Sequence, residues 1–278
     1  MVPAADIGEC FYSIMEPNEI HEAAQWLCQA RLRAEGVVDC PHAASLHGED
    51  DGYAVQERLH EALAAAGLGP LVGYKIGCTN PAVQRLIGVP GPAYGGLMAA
   101  NRHDSGAAFR LDRFQKPGVE CEIAMWLADD LGPAGAPFDK AAVSSHVAAC
   151  SVAMEIVDNR YDDFRTAPLG LMIADDFFQA ACVVGPRMED WRALDLAELS
   201  GWTHAGGEPA GTGKGHEVMG HPLQALAWLA NRLAVRGRAL KAGQLVLAGS
   251  IVSPYWVAAP GEVSVEVEAL GRVDAAFQ

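Results

Sequence analysis

Between Val119 and Leu127 the chain alternates without a break. Val119, Cys121, Ile123, Met125 and Leu127 fall on one side, and Glu120, Glu122, Ala124 and Trp126 on the other. A period of two belongs to a β-strand, so this segment sits in a sheet with one face in an apolar core. On the opposite face two carboxylates leave the strand together, roughly 7 Å apart. Like charges that close on a half-buried face repel unless something neutralises them, and a hard dication with a preference for oxygen ligands does so. Glu155 lies in a second apolar run, Val152 to Val157, where an ionised carboxylate also needs a partner. Three carboxylates on adjacent strands leave about three of six octahedral positions for substrate and water. A solvated edge strand is the competing reading of Glu-x-Glu, and spacing alone does not separate the two. Ala124 and Trp126, beside the glutamates, suit a covered surface.

Around this strand the pattern is that of an α+β protein. Helical spacing places Ile20, Ala23, Ala24, Leu27 and Ala30 on one stripe, with Gly36 as the stop. A second helix is expected from Asp51 to Ala66 with Gly67 behind it, and a short one from Pro81 to Leu86. Leu71–Gly77, Ser151–Asp158, Ala180–Val184, Leu245–Ser250 and Glu262–Leu270 read as strands, Asp139–Cys150 and Pro222–Arg236 as helices. Strands and helices do not alternate regularly, which argues against a doubly wound sheet. A helical region over 1–70 leading into a larger strand-rich domain over 71–278 is the expected organisation.

The balance of 20 Lys+Arg against 35 Asp+Glu gives a net charge of −15, which repels phosphate backbones and argues against nucleic acid as a partner. A bound cation still admits an anionic substrate, because it reverses the local field. No apolar run approaches the roughly 20 residues of a membrane span. Met1 to Tyr12 carries Asp6 and Glu9 and no basic stretch, unlike a secretory signal. The seven cysteines (Cys10, Cys28, Cys40, Cys78, Cys121, Cys150, Cys182) include no C-x-x-C pair and fit reduced thiols, so a cytoplasmic location is expected.

Five segments carry a more specific signal: Gly73-Tyr-Lys-Ile-Gly-Cys-Thr79, Gly118-Val-Glu-Cys-Glu-Ile-Ala124, Glu155-Ile-Val-Asp-Asn-Arg160, Gly220-His-Pro-Leu-Gln-Ala-Leu-Ala-Trp-Leu-Ala230 and Leu245-Val-Leu-Ala-Gly-Ser250. In their order and spacing, from about Tyr53 to Phe277, the chain resembles the 2-oxopent-4-enoate hydratase and 4-oxalocrotonate decarboxylase group of the fumarylacetoacetate hydrolase superfamily. The resemblance implies a mixed β-sandwich or roll with a smaller helical N-terminal region. It matches Glu120, Glu122 and Glu155 to ligands of Mg²⁺ or Mn²⁺, Lys75 to an active-site lysine, and Ser250 to a substrate contact. It also implies a homo-oligomer, or an assembly with a homologous or pathway enzyme. The implied chemistry is that of a lyase in aromatic-compound degradation. A small 2-oxo acid chelates the metal, which stabilises the enolate, while Lys75, its pKa lowered by burial and the cation, shuttles a proton. Hydration of a 2-hydroxy-2,4-dienoate is the leading reaction. Decarboxylation of a 2-oxo dicarboxylate, C–C hydrolysis of an acylpyruvate and a non-catalytic scaffold role are the alternatives.

Two segments depart from the group. Where it places an acid near the active site after Tyr94-Gly-Gly-Leu-Met-Ala, this chain has Ala100 and Asn101, with Asp104 as the nearest substitute. Its Asp-Thr-Val-Ala-Asp-Asn segment appears as Leu171-Met-Ile-Ala-Asp-Asp176 followed by Phe177 and Phe178, which suggests a larger or different 2-oxo acid. Gly211-Thr-Gly-Lys-Gly-His216 lacks the P-loop spacing and reads as a glycine-rich loop bordering the site, with Lys214 either a contact for an anionic substrate or a plain solvated lysine. His216 and His221 are spaced for no zinc site, and His221 before Pro222 reads as a helix start. Asp158 and Arg160 are candidates for an ion pair, and Cys78 for core packing, since no histidine is placed to activate it.

Overall fold

The structure, a computed structural model, describes residues 15–46 and 48–278. The N-terminal segment read above for a secretory signal, with Cys10, lies outside them. Six helices, α1 (Pro17–Leu32), α2 (Glu49–Leu63), α3 (Pro81–Ile87), α4 (Lys140–Ser145), α5 (Leu169–Ala174) and α6 (Pro222–Val235), accompany thirteen strands. The strands are β1 (Leu71–Gly77), β2 (Ala93–Met98), β3 (Arg102–Asp104), β4 (Ala107–Phe109), β5 (Pro117–Leu127), β6 (Val147–Asp158), β7 (Gln179–Val184), β8 (Ser200–Ala205), β9 (Glu208–Lys214), β10 (Leu245–Ser250), β11 (Tyr255–Trp256), β12 (Gly261–Val267) and β13 (Gly271–Phe277).

They form two mixed sheets. The larger runs β2-β1-β10-β5-β6-β7-β3, with β11 paired to β5; the smaller runs β4-β13-β12-β8-β9. The sheets pack face to face through β5, β6, β8, β12 and β13. Cys121, Ile123 and Met125 of β5 and Val265 and Val273 of β12 and β13 enter this shared core, as the period of two demands. On the other face of β5, Ala124 and Trp126 join a second buried cluster with Ala149, Ala153 and Leu247. The covered surface expected beside the glutamates is therefore present, and the Trp126 indole N–H donates to Ser151 Oγ at 3.0 Å within it.

Local chemistry explains the helix ends near the site. Asn80 caps α3 by accepting from the Ala82 N–H at 2.8 Å, Pro81 opens the helix, and Gly88 closes it with φ 83°. His221 caps α6 through Nδ1, which accepts from the Leu223 N–H at 3.1 Å. The helical stretch before residue 70 shares the apolar core of the strand-rich remainder: Leu27, Tyr53 and Leu59 are buried in one cluster with Tyr94 and Ile173.

The structure departs from the sequence reading at several elements. α1 ends at Leu32 and the chain reverses at Ala34 (φ 57°), ahead of Gly36. The helix expected to Cys150 stops at Ser145, because the next residues extend β6 and pair with β5, Ala149 opposite Trp126. The run to Leu270 is β12 plus the turn into β13. The glycine-rich segment from Gly211 is not a loop but strand β9, paired with β8. Glycine is required there for closeness: a Cβ on Gly213 would lie 1.7 Å from the Ile251 carbonyl oxygen.

Candidate metal centre and active site

Antiparallel pairing sets Glu120 of β5 directly opposite Glu155 of β6, and Ser250 of β10 opposite Glu122. One carboxylate oxygen from each of Glu120, Glu122 and Glu155 lies within 4.8 Å of the others. That spread is close to the span of a single oxygen cage, whose metal–oxygen bonds run roughly 2.0–2.6 Å for magnesium or calcium. Glu122 and Glu155 are fully buried. Glu122 Oε2 accepts from the Gly249 N–H at 2.7 Å, while Glu122 Oε1 and Glu155 Oε2 have no hydrogen-bond partner. Buried carboxylate oxygens without partners are costly and call for an explanation. Burial, and then the charge of Glu155, push Glu120 from 4.5 up to about 7. Burial, with Glu155 and Glu120, drives Glu122 upward as well. Three crowded carboxylates with unpartnered oxygens, of which Glu120 and Glu122 resist ionisation, are what a dication relieves, so the donor set fits a hard divalent metal.

Among the described residues, one cationic side chain faces them. Lys75, buried on β1, brings Nζ to 3.3 Å from Glu155 Oε1 and donates to the Phe177 carbonyl oxygen. Burial pulls its pKa down, but Glu155, Glu120 and Glu122 outweigh it, and the net direction is upward. The lowered value expected from the sequence is that of Lys75 beside a bound cation, a different charge state of the site.

The Phe177 carbonyl owes its position to a turn that the sequence reading passed over. Asp176, Phe177 and Phe178 all have positive φ, at 53°, 51° and 70°. Such backbone costs of order 1–3 kcal/mol per residue and persists only where its surroundings over-determine it. Asp176 supplies that restraint. Its Oδ1 accepts from the Gly96 N–H at 2.8 Å and lies 2.6 Å from His60 Nε2, and its Oδ2 is 2.9 Å from Arg31 Nη1. Burial raises the Asp176 pKa, but His60 and Arg31 overcome it and hold the group below the usual carboxylate range. Asp175 next to it pairs with both Arg31 and Arg160.

Lys75, Glu120, Phe177 and Ser250 open into one cavity of about 880 Å³. Ser250 Oγ donates to the Val252 carbonyl at 2.6 Å. Cys78 also lines the cavity, but burial pushes its thiol up to about 12, which suits packing and not nucleophilic attack.

Several sequence candidates lie elsewhere. Lys214 is outside the cavity wall, half-exposed, with Nζ 3.0 Å from Glu198 Oε2, because the straight path of β9 carries it away from the site. Ala100 and Asn101 line a second, smaller cavity of about 340 Å³ with Arg31 and Arg160, and Asp104 is exposed on β3. The missing acid therefore changes a neighbouring cavity, not the wall around Lys75. Asp158 and Arg160 do not pair: Asp158 accepts from the Gln115 and Lys116 N–H groups, and Arg160 binds Asp175.

A family model described as fumarylacetoacetate (FAA) hydrolase C-terminal matches residues 98–278. Among named relatives, the chain is 33% identical over 262 residues to a 2-keto-4-pentenoate hydratase of Paraburkholderia phymatum, covering 94% of this chain and 98% of the relative. It is 34% identical over 231 residues to a 2-hydroxyhexa-2,4-dienoate hydratase of Comamonas testosteroni, covering 82% and 86%. Among solved structures, it superposes on 4-oxalocrotonate decarboxylase from Pseudomonas putida G7, complexed with magnesium and adipate, with a TM-score of 0.88. The identity is 27%, with 95% of this chain and 99% of that chain covered.

Proposed function

The chain belongs to the fumarylacetoacetate hydrolase family, and on that premise we propose that it is a divalent-metal-dependent lyase that hydrates a small 2-hydroxy-2,4-dienoate, with Mg²⁺ or Mn²⁺ held by Glu120, Glu122 and Glu155. The observation that carries this reading is the three-carboxylate cluster with unpartnered buried oxygens beside a buried lysine at the floor of one cavity. When bound, the cation supplies Lewis-acid stabilisation of negative charge on the carboxylate and 2-oxygen of the substrate. In hydration, the 2-hydroxyl of the dienol gives up its proton as another is added at C5, which yields the conjugated 2-oxo-3-enoate. Water then adds across C3=C4, its hydroxyl to C4 and a proton to C3.

Lys75 is the residue of this chain suited to hold that proton. The Phe177 carbonyl and Glu155 fix the Nζ group in place at the cavity. Ser250 lines the same cavity and is assigned to the substrate's polar end. Assembly into a homo-oligomer in the cytoplasm belongs to the same proposal, and light scattering on the purified protein tests the assembly.

Structural likeness to a decarboxylase favours a second reading, loss of CO₂ from a 2-oxo dicarboxylate on the same site. Incubation with Mg²⁺ and 2-hydroxypenta-2,4-dienoate separates the two. Loss of ultraviolet absorbance with formation of a 4-hydroxy-2-oxo acid is the expected result. CO₂ release from 2-oxohex-3-enedioate without hydration of the dienoate would replace hydratase by decarboxylase.

A further inference from the structure

The cavity is far larger than a five-carbon acid needs. Its volume of about 880 Å³ lies near the top of the roughly 300–1,000 Å³ range of sites that enclose drug-sized ligands. The surplus lies in an apolar wall. Val83, Leu86 and Ile87, spaced i, i+3, i+4 on α3, share one side of that helix and line the cavity together with Phe164, Val252 and Trp256.

Several of these side chains are exposed to an extent that large apolar groups rarely are without a purpose. Leu86 is 64% exposed, Trp256 49% and Val83 37%. Among the described residues only Val38 and Val235 are comparable, and neither lines this cavity. Three such groups gathered around the opening of a single polar-floored site mark a surface that a ligand covers.

The charges in the wall state what kind of ligand. Its basic side chains are Lys75, committed to Glu155 and the Phe177 carbonyl, and Lys116, which is exposed to solvent. Glu217, also in the wall, accepts from Asn80 Nδ2 at 2.8 Å beside α3 and adds negative charge there. Among the described residues, the wall has no further buried cation for a second carboxylate at the far end of a substrate.

From this arrangement we infer that the substrate carries an uncharged apolar extension, an alkyl chain or an aryl ring, at the end remote from its 2-oxo acid group, and that this extension lies against Val83, Leu86 and Trp256. The inference rests on the functional reading above and narrows it, from small 2-oxo acids in general to those with an apolar tail and without a distal carboxylate.

Calorimetric titration with unreactive 2-oxo acids in the presence of Mg²⁺ tests it. Pyruvate, 2-oxohexanoate, 2-oxo-octanoate and 4-phenyl-2-oxobutanoate form the apolar series, and 2-oxoadipate is the dicarboxylate control. Affinity rises along the alkyl series by up to about fourfold for each methylene the wall buries, and 2-oxoadipate binds more weakly than 2-oxohexanoate. Leu86→Ser and Trp256→Ser, at exposed positions that do not threaten folding, narrow the ratio between 2-oxo-octanoate and pyruvate. A flat series with pyruvate still bound overturns the inference and leaves the lyase reading standing. So does 2-oxoadipate binding more tightly than 2-oxohexanoate, a preference that Lys116→Ala would then abolish. A flat series combined with a lower assembly mass for Leu86→Ser overturns it in favour of a second copy of the chain on this patch. Failure of every acid, pyruvate included, removes the lyase reading and the inference together.

Discussion

Glu120 occupies the boundary between the buried carboxylate pair and the open cavity, and its protonation reports on the whole cluster. A carboxyl whose folded-state pKa is raised from 4.5 to about 7 contributes stability that is complete below 4.5 and lost as pH rises through 7. Glu122 acts in the same direction, for the same reason of burial among like charges. Asp176, held low by His60 and Arg31, has its window on the acid side of the usual Asp range, and Lys75 is held high, so neither opposes the effect; the half-buried His103 and His221, lowered from 6.5 by burial, act against it only just below that value. Metal-free protein is therefore expected to lose thermal stability as pH climbs from 4.5 to 7, and saturating Mg²⁺ is expected to flatten the profile; scanning calorimetry with and without EDTA measures both. A Tm that rises across that window in EDTA would contradict the assigned repulsion. Lys75→Met should lower kcat by about 10²–10⁴-fold, the usual worth of a positioned acid or base, while Mg²⁺ still binds. Steady-state kinetics beside a binding isotherm makes that distinction, and unchanged kcat would remove Lys75 from the chemistry.

Strands β5, β6 and β10 place the acids, and the turn after α5 places the lysine. The alternation of Val119 to Leu127 disclosed which face Glu120 and Glu122 share, because a period of two admits one solution once one face is apolar. The partner of Glu120 was not readable in the same way. Glu155 stands opposite it through a register set across residues 128–146; its apolar run marked it as a carboxylate in need of a partner, but not as the residue that faces Glu120. The restraint on the turn was still less legible. Arg31 and His60 reach Asp175 and Asp176 across 144 and 116 positions, and no local periodicity encodes such a meeting. Asp176→Ala is expected to cost about 3–5 kcal/mol, the penalty for breaking a buried charged pair, since Arg31 and His60 lose a shared partner while the left-handed turn loses its anchor. Urea unfolding gives the number, and a loss below about 1 kcal/mol would show that the turn holds itself. In β9, Gly213→Ala should destabilise by at least about 1–3 kcal/mol through the Ile251 carbonyl, whereas Lys214→Ala beside it should stay within about 0.5 kcal/mol. Equal effects from the two would mean that β9 does not approach Ile251 so closely.

Among the described residues, two sheets and six helices surround a small volume where three carboxylates meet one lysine. The shared core of the sheets supplies the rigidity that lets Glu122 and Glu155 remain buried with unpartnered oxygens. No helix among the described residues is long and apolar enough to cross a membrane, and the net charge of −15 leaves a hard cation as the natural counter-charge at the site. Titration calorimetry of Mg²⁺, with and without oxalate as a mimic of the chelating end of a 2-oxo acid, addresses that directly in the wild type and in Glu122→Gln. One ion per chain, bound more tightly with oxalate present and lost in the folded variant, is the expected outcome. No binding to the wild type, or equal binding to both proteins, would show that Glu120, Glu122 and Glu155 do not form a metal site.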